Sequence, residues 1–217
     1  MKRALVAEVM GTALLLMAVV GSGIMGEQLA DGNAGLALLA NAVSTGAMLY
    51  GLITVLGPVS GGHFNPAVTL CFRLRKEITT RQGLLYGVAQ VVGGILGVWA
   101  THVMFGLVVL QQSTTARTGG GQWFSEALAT AGLLLVIHGG QRHQPSAVPA
   151  LVALYITSAY WFSASTSFAN PAVTIARGLT DTFSGILPAH VPMFVATQLL
   201  SAAVATPLLG WLFPSEE

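Results

Sequence analysis

The 217-residue chain is 53% hydrophobic and only 8% charged, with a mean hydropathy of +0.72. Soluble domains carry about 25% charged residues, so this composition excludes an ordinary soluble enzyme and a disordered chain. The net charge of +1, without a basic stripe, argues against nucleic-acid binding. The single cysteine, Cys71, excludes a cysteine metal site, and neither a metal nor a cofactor is expected.

Six apolar stretches approach the length of a membrane-spanning helix, which needs about 20 apolar residues. These stretches lie near residues 4–24, 35–56, 82–110, 123–138, 146–163 and 190–213. The first one continues past the length of a signal peptide and lacks an A-x-A-like cleavage site, so no cleaved leader is expected. The sequence therefore predicts one membrane domain over residues 1–217, with a polar linker at 111–122.

The basic residues are distributed unevenly between the two sides of this six-span arrangement. Two fall on one side, Arg117 and Arg177. Seven fall on the other side, namely Lys2, Arg3, Arg73, Arg75, Lys76, Arg81 and Arg142. Because cytoplasmic loops are enriched in Lys and Arg, we expect a multi-pass protein of the plasma membrane with both termini in the cytoplasm.

The chain contains an internal repeat centred on two short apolar segments, NPAVTL at 65–70 and NPAVTI at 170–175. Glu8 and Glu126 occupy equivalent places in the first and fourth spans, as Gln90 and Gln198 do in the third and sixth. Repeat one covers about 1–110 and repeat two about 123–217. Three full spans per copy is an odd number, so the second copy enters from the opposite side, as in an inverted repeat.

Each Asn-Pro segment is predicted to form a half-helix that meets the other one near the membrane midplane. Ten residues follow from Pro66 to Arg75, and ten from Pro171 to Thr180. Ten helical residues rise about 15 Å, so two half-helices end to end cover about one hydrocarbon thickness. Asn is a favoured N-cap residue and Pro a favoured first helical residue, which fits helices that begin at these positions.

The two helix tips predict a neck, meaning the narrowest part of the pore, through which only uncharged solutes pass. Once each Asn oxygen caps its own helix, two amide donors on Asn65 and two on Asn170 are expected to face a cavity. Each helix N-terminus adds about half a positive charge, which repels cations. The loop carbonyls ahead of the tips would offer a row of acceptors to a hydroxylated solute; these loops contain Gly61, Gly62, His63, Ser165, Thr166 and Ser167.

The segment SGGHFNPAVT at 60–69, the second NPA at 170–172 and the pair Glu8 and Glu126 closely resemble the aquaporin and aquaglyceroporin channels. The resemblance covers essentially the whole chain. It implies an all-α integral membrane fold of six transmembrane helices plus two re-entrant half-helices. It also implies a homotetramer in membrane lipid with one pore per subunit, and passive conduction of water or small neutral solutes rather than catalysis.

The same resemblance implies a second, outer constriction made by four residues. The family places an Arg three residues after the second Asn, where this chain has Val173. Ungapped counting assigns the other three places to Thr45, Ser158 and Ser167. The resemblance therefore implies a wide, Arg-free filter that is partly hydroxylated.

The segment NPAVTIAR at 170–177, followed by TDTF at 180–183, resembles a bacterial aquaporin subgroup associated with arsenic resistance. This implies arsenous acid or methylated arsenicals as solutes, alongside glycerol and water.

Two alternatives to a channel stay open at this point. One is a non-conducting junction or scaffold protein, against which the continuous polar lining of the predicted pore argues. The other is a transporter. Glu8 and Glu126 lie within spans, where a charge costs about 3 kcal/mol, so they could serve a proton-coupled secondary transporter. They could instead accept hydrogen bonds from the loops before the half-helices, with Gln90 and Gln198 as structural partners. Arg177 could either add charge to the pore or cap its outer mouth.

Overall fold

The computed structural model describes residues 1–214, and within that range it contains α-helices and two short 3-10 turns but no strand. Residues 215–217, which the predicted second repeat includes, lie outside the described range. The helices are α1 (Lys2–Leu29), α2 (Ala34–Ser60), α3 (Pro66–Leu74), α4 (Thr80–Met104), α5 (Gly120–His143), α6 (Val148–Phe162), α7 (Pro171–Arg177) and α8 (Val191–Leu212).

The long helices have the length and composition of membrane spans. Five helical segments are both long enough and apolar enough to cross a membrane: α1, α2, α4, α5 and Pro188–Leu212, which joins a 3-10 turn to α8. The sixth span, α6, has only 15 residues, but the 3-10 turn Pro145–Ala147 extends it on one side. At about 1.5 Å per residue in α6 and about 2 Å in the turn, the combined segment also approaches the hydrocarbon thickness.

The packing follows an inverted repeat. The first four helices form one copy and the last four the other, and α1 packs on α4 as α5 packs on α8. Each half-helix lies against the last helix of the other copy: α3 contacts α8, and α7 contacts α4. The two copies therefore pack against each other's half-helices.

Several predicted boundaries differ from the observed ones. The second span does not end near residue 56 but continues to Ser60, and Gly61 at φ 93° takes the left-handed C-cap conformation that favours glycine. Helix α4 ends at Met104, so the apolar residues 107–110 lie in the loop between α4 and α5. The second half-helix has seven residues, not ten, because the chain turns at Gly178.

Two glycines bring α4 and α1 into backbone contact. A methyl group on Gly93 would collide with the backbone of Val9, and one on Gly97 with the backbone of Ala13. Small residues at such crossings let transmembrane helices approach closely. This approach brings the side chain of Gln90, one turn from Gly93, to within hydrogen-bond distance of Glu8 on α1.

Candidate functional site

The two Asn-Pro tips meet at the centre of the molecule. The Asn65 Oδ1 accepts from the Ala67 amide at 2.8 Å, and the Asn170 Oδ1 accepts from the Ala172 amide at 3.0 Å, so each caps its own half-helix. Their amide nitrogens reach across the repeat. Asn65 Nδ2 donates to the Ala169 carbonyl at 2.7 Å, and Asn170 Nδ2 donates to the Phe64 carbonyl at 2.8 Å.

These cross-repeat bonds correct one prediction. The expectation of two free amide donors on each Asn is wrong, because one N–H of Asn65 and one of Asn170 is consumed by the opposite loop. One donor per tip is left for a solute. The consumed donors join the two tips to each other, so both Asn side chains are held in fixed orientations beside the same cavity.

The loops before the tips adopt the same backbone path twice. In the first loop Gly61, Gly62 and Phe64 have positive φ angles of 93°, 63° and 46°. The matching positions before Asn170 are Thr166, Ser167 and Ala169, at 62°, 50° and 45°. Only two of the six are glycine, and holding the other four in the left-handed region requires support from the surrounding structure.

Glu8 supplies that support to the first loop. Its Oε1 accepts from the Ser60 hydroxyl at 2.6 Å and the His63 amide at 3.1 Å. Its Oε2 accepts from the Phe64 amide at 2.7 Å and from Gln90 Nε2 at 2.7 Å. The carboxylate is fully buried, and Glu8 is not among the residues that line the cavity.

Glu126 makes the equivalent contacts to the second loop. It accepts from the amides of Phe168 and Ala169 at 2.9 and 2.8 Å, and from Gln198 Nε2 at 2.6 Å. Its side chain is fully buried as well. The two Glu-Gln pairs therefore fix the loop amides immediately ahead of each Asn.

Sequence reasoning missed two threonines that complete these networks. Gln90 Nε2 also donates to Thr69 Oγ1 at 3.0 Å, and Gln198 Nε2 to Thr174 Oγ1 at 2.9 Å. Both threonines stand four residues after an Asn within the repeated NPAVT segment. Their identical place in the two copies was the signal that could have identified them.

A continuous cavity of about 90 Å³ runs past the two tips. Phe64, Ala169 and the two Asn residues line its middle, and the side chains of His63 and Phe72, whose ring centroids are 4.4 Å apart, line it on the α3 side. Gly61 and Gly62 of the first loop also line the cavity, as the sequence predicted. In the second loop the lining begins at Ser167, and the predicted lining positions Ser165 and Thr166 are not among the residues that border this cavity.

Of the four predicted filter residues, Thr45, Ser167 and Val173 line the cavity, and Ser158 does not. Ser158 is exposed on the outer surface of α6. The α6 residues on the wall recur every fourth position, at Val148, Val152, Ile156 and Tyr160. The assignment of Ser158 is therefore wrong. Tyr160 lies on the wall in its place, and the Tyr160 hydroxyl lies 3.2 Å from Thr45 Oγ1.

Arg177 also lies on the cavity wall, whereas position 173, where the resemblance places the filter arginine, is a valine that lines the same cavity. Its guanidinium is buried, stacks on the Phe168 ring at 3.5 Å from the centroid, and donates through Nε to the Ser184 carbonyl. Capping of an exposed mouth does not describe this position. The side chain approaches the cavity from the end of α7.

The loop between α4 and α5 and the segment after α7 are tied together near Arg177. Asp181 accepts hydrogen bonds from the amide and hydroxyl of Thr114 at 2.8 and 2.9 Å. The hydrogen bond from the Thr114 amide, reinforced by its hydroxyl, lowers the pKa of Asp181. The contact is therefore fully present above the ordinary carboxyl pKa and is lost as the pH falls through the lowered value.

Comparisons with known proteins agree with this architecture. The family model described as "Major intrinsic protein" matches residues 1–167. Aquaglyceroporin AqpS of Rhizobium meliloti (strain 1021) is 54% identical over 210 residues, which are 97% of this chain and 90% of that protein. An aquaporin PIP-type of Atriplex canescens is 38% identical over 96 residues, 44% of this chain and 34% of that protein.

A solved structure shares the fold. The X-ray structure of the aquaglyceroporin from Plasmodium falciparum superposes with a TM-score of 0.71, at 19% sequence identity, over 97% of this chain and 99% of that one. At this identity the likeness concerns the fold: six transmembrane helices and two re-entrant half-helices.

Proposed function

Because the chain belongs to the major intrinsic protein family, whose members are membrane channels for water and small solutes rather than enzymes, we propose that its own solutes are small neutral hydroxylated molecules. Asn65 and Asn170 form the midpoint of the pore. Thr45, Tyr160, Ser167 and Val173 belong to its outer filter. Arsenous acid, methylated arsenicals, glycerol and water are the solutes to test.

One observation carries this proposal: two capped helix N-termini meet beside a continuous cavity, each with one amide donor left over. The donors suit a solute oxygen that accepts a hydrogen bond. The aligned helix dipoles add about one positive charge at the neck, which penalises cations and leaves neutral molecules nearly unaffected. The hydroxyls of Thr45 and Tyr160 extend the polar wall outward.

The passive mechanism is favoured over the proton-coupled alternative by the position of the two buried carboxylates. Glu8 and Glu126 accept from loop amides and glutamines and are absent from the cavity lining. A proton carrier needs access to the pathway that it couples to. These contacts give both residues a structural role instead.

Stopped-flow measurements on proteoliposomes test the proposal with water, glycerol and arsenous acid. We expect each solute to equilibrate faster than in protein-free liposomes, with a rate linear in its gradient. Solute rates equal to those of protein-free liposomes for everything except water would restrict the protein to water conduction. Saturable uptake driven by a proton gradient would favour the transporter.

We also propose a homotetramer in the plasma membrane, with one pore per subunit and both termini in the cytoplasm. The basic residues of 2–3, 73–81 and 142 support this orientation through the positive-inside rule. The long apolar face of α1 and α2, with exposed Met10, Val43 and Val55, suits contact with lipid or a neighbouring subunit. Native mass spectrometry in detergent distinguishes a tetramer from a monomer.

Replacing Val173 by arginine is expected to narrow the outer filter. Val173 lines the cavity, and a long cationic side chain at this place would fill space next to Ser167. We expect glycerol flux to fall about tenfold or more while water flux stays within about twofold, since water needs the smaller opening. Val173→Leu, which adds bulk without charge, is the matched control. Undiminished glycerol flux in the Val173→Arg variant would mean that Val173 does not lie at the constriction.

A further inference from the structure

Two polar atoms on the cavity wall have no hydrogen-bond partner among the described residues. They are Nη1 of Arg177 and Oγ of Ser167. The arginine side chain is 2% exposed and the serine 3%. Buried polar groups in folded proteins are almost always paired with protein, water or a ligand, so two orphaned atoms on one wall indicate a place where something binds.

The guanidinium of Arg177 is held through its Nε and through its face, while Nη1 has no partner among the described residues. Its Nε donates to the Ser184 carbonyl, and the Ser184 hydroxyl is itself fixed to the Val19 carbonyl at 2.9 Å. The plane of the fork rests on the Phe168 ring, with the guanidinium carbon 3.5 Å from the ring centroid. Arginine stacked on an aromatic face keeps its donors preorganised.

A second arginine shows that position, and not charge alone, distinguishes Arg177. The guanidinium carbon of Arg117 lies 5.4 Å from the centroid of the same Phe168 ring. Its Nε and Nη2 are engaged by the carbonyls of Gly185 and Phe183 at 2.8 and 3.4 Å. Arg117 is not part of the cavity lining, whereas Arg177 is.

The short side chain at position 173 leaves room for this arrangement. Val173 stands one helical turn before Arg177 on α7, and both residues line the cavity. Ser167 lines the same cavity and immediately precedes Phe168, whose ring carries the guanidinium. A donor with a fixed direction and a hydroxyl that can accept or donate therefore border one cavity.

We propose that Arg177 and Ser167 form a hydroxyl-binding subsite in the outer filter, which contacts each neutral solute as it passes. Arg177 Nη1 donates to a solute oxygen, and Ser167 Oγ accepts the proton of the same hydroxyl group. This inference rests on the proposed function and adds to it a selection by hydroxyl content. A solute hydroxyl at this place regains the hydrogen bonds that it lost with its hydration water, whereas a methyl group makes none.

A comparison of two solutes of similar width tests the subsite. Glycerol and 1,2-propanediol share a three-carbon skeleton, and the second has a methyl group in place of one hydroxymethyl. In proteoliposomes containing Arg177→Met, the ratio of glycerol to propanediol permeability is expected to fall about tenfold, the effect of losing one hydrogen bond from a charged donor. A change in pore width alone would move both permeabilities together and leave their ratio unchanged.

Arg117→Met is the matched control, because it removes the other arginine from the same ring without touching the cavity lining. We expect the wild-type ratio in this variant. Arg177→Gln retains an amide donor and is expected to keep the ratio within about threefold of wild type. An unchanged ratio in Arg177→Met, or an equal fall in Arg117→Met, overturns the subsite.

Ser167→Ala gives an independent measurement if Arg177→Met does not yield monodisperse protein. The Ser167 hydroxyl has no partner among residues 1–214, so its removal leaves every described contact of Arg177 in place. We expect the ratio to fall about threefold, and an unchanged ratio would refute the subsite. Wild-type flux of both polyols equal to that of protein-free liposomes would refute the proposed function itself.

Discussion

Replacing Asn170 by aspartate is expected to make the pore conduct monovalent cations. The two half-helices point their N-termini at each other beside the cavity, which places about one positive charge at the neck. At about 4 Å and an effective dielectric constant near 20, that charge repels a monovalent cation by about 4 kcal/mol, or about a thousandfold. An ionised aspartate at the same place adds one negative charge and cancels this repulsion.

The variant retains the features that hold the half-helix. Aspartate caps helices as well as asparagine does, so its carboxylate continues to accept from the Ala172 amide. What it loses is the donor to the Phe64 carbonyl. Asn170→Ser is therefore the matched control, because it loses the same cross-repeat bond, remains a favourable cap and stays neutral.

Potassium conductance across planar bilayers at pH 8 provides the measurement. We expect an increase approaching a thousandfold in the Asn170→Asp variant, a decrease as acid protonates the new carboxylate, and little conductance in Asn170→Ser. Equal conductance in both variants would assign cation exclusion to the bond between Asn170 and Phe64. If the Asn170→Asp variant conducts no potassium but keeps its glycerol flux, the helix dipoles are not what excludes cations.

The features that the chain contains twice were the ones that the sequence could predict. Both NPAVT segments form half-helices that begin at the Asn, and both Glu-Gln pairs lie in equivalent contacts. A repeated pattern shows which residues of the two copies correspond, and an odd number of spans fixes their relative direction. The end of α7 was missed because the turn at Gly178 has no counterpart in the first copy.

One part of the cavity wall was harder to predict, because Tyr160 and Arg177 lie outside the repeated NPAVT segments. Ungapped counting selected Ser158, but the wall of α6 runs through Ile156 and Tyr160, and two residues along a helix turn the side chain to another face. Arg177 lies on the wall with its guanidinium stacked on Phe168. A contact of this kind depends on how a loop folds back over α7, which no local pattern in one sequence reveals.

The cross-repeat bonds were missed for a related reason. The capping role of each Asn follows from its own helix, and that part was predictable. The partner of each amide nitrogen is a carbonyl more than a hundred residues away in the opposite loop, Ala169 for Asn65 and Phe64 for Asn170. Such partners become visible only when the two copies are assembled.

Replacing Glu8 by leucine is expected to prevent folding of the channel. The carboxylate accepts from the buried amides of His63 and Phe64 and from the Ser60 hydroxyl. Leaving a buried donor unpaired costs about 1–3 kcal/mol, so these three donors together cost about 3–9 kcal/mol. That is comparable with the whole stability of an ordinary domain, about 5–15 kcal/mol. Gln90 loses less, because it keeps its bond to Thr69.

The near-isosteric Glu8→Gln variant separates the structural role from proton coupling. Glutamine keeps one acceptor oxygen for the loop amides and cannot carry a proton between the two sides of the membrane. Thermal unfolding and size-exclusion profiles in detergent should show little monodisperse protein for Glu8→Leu and a lowered melting temperature for Glu8→Gln. Glycerol flux per folded Glu8→Gln channel should equal that of the wild type, because the carboxylate lies outside the cavity lining and serves the pore only by fixing the loop that carries Phe64. A fully folded Glu8→Gln protein without flux would contradict the passive mechanism and restore the proton-coupled one.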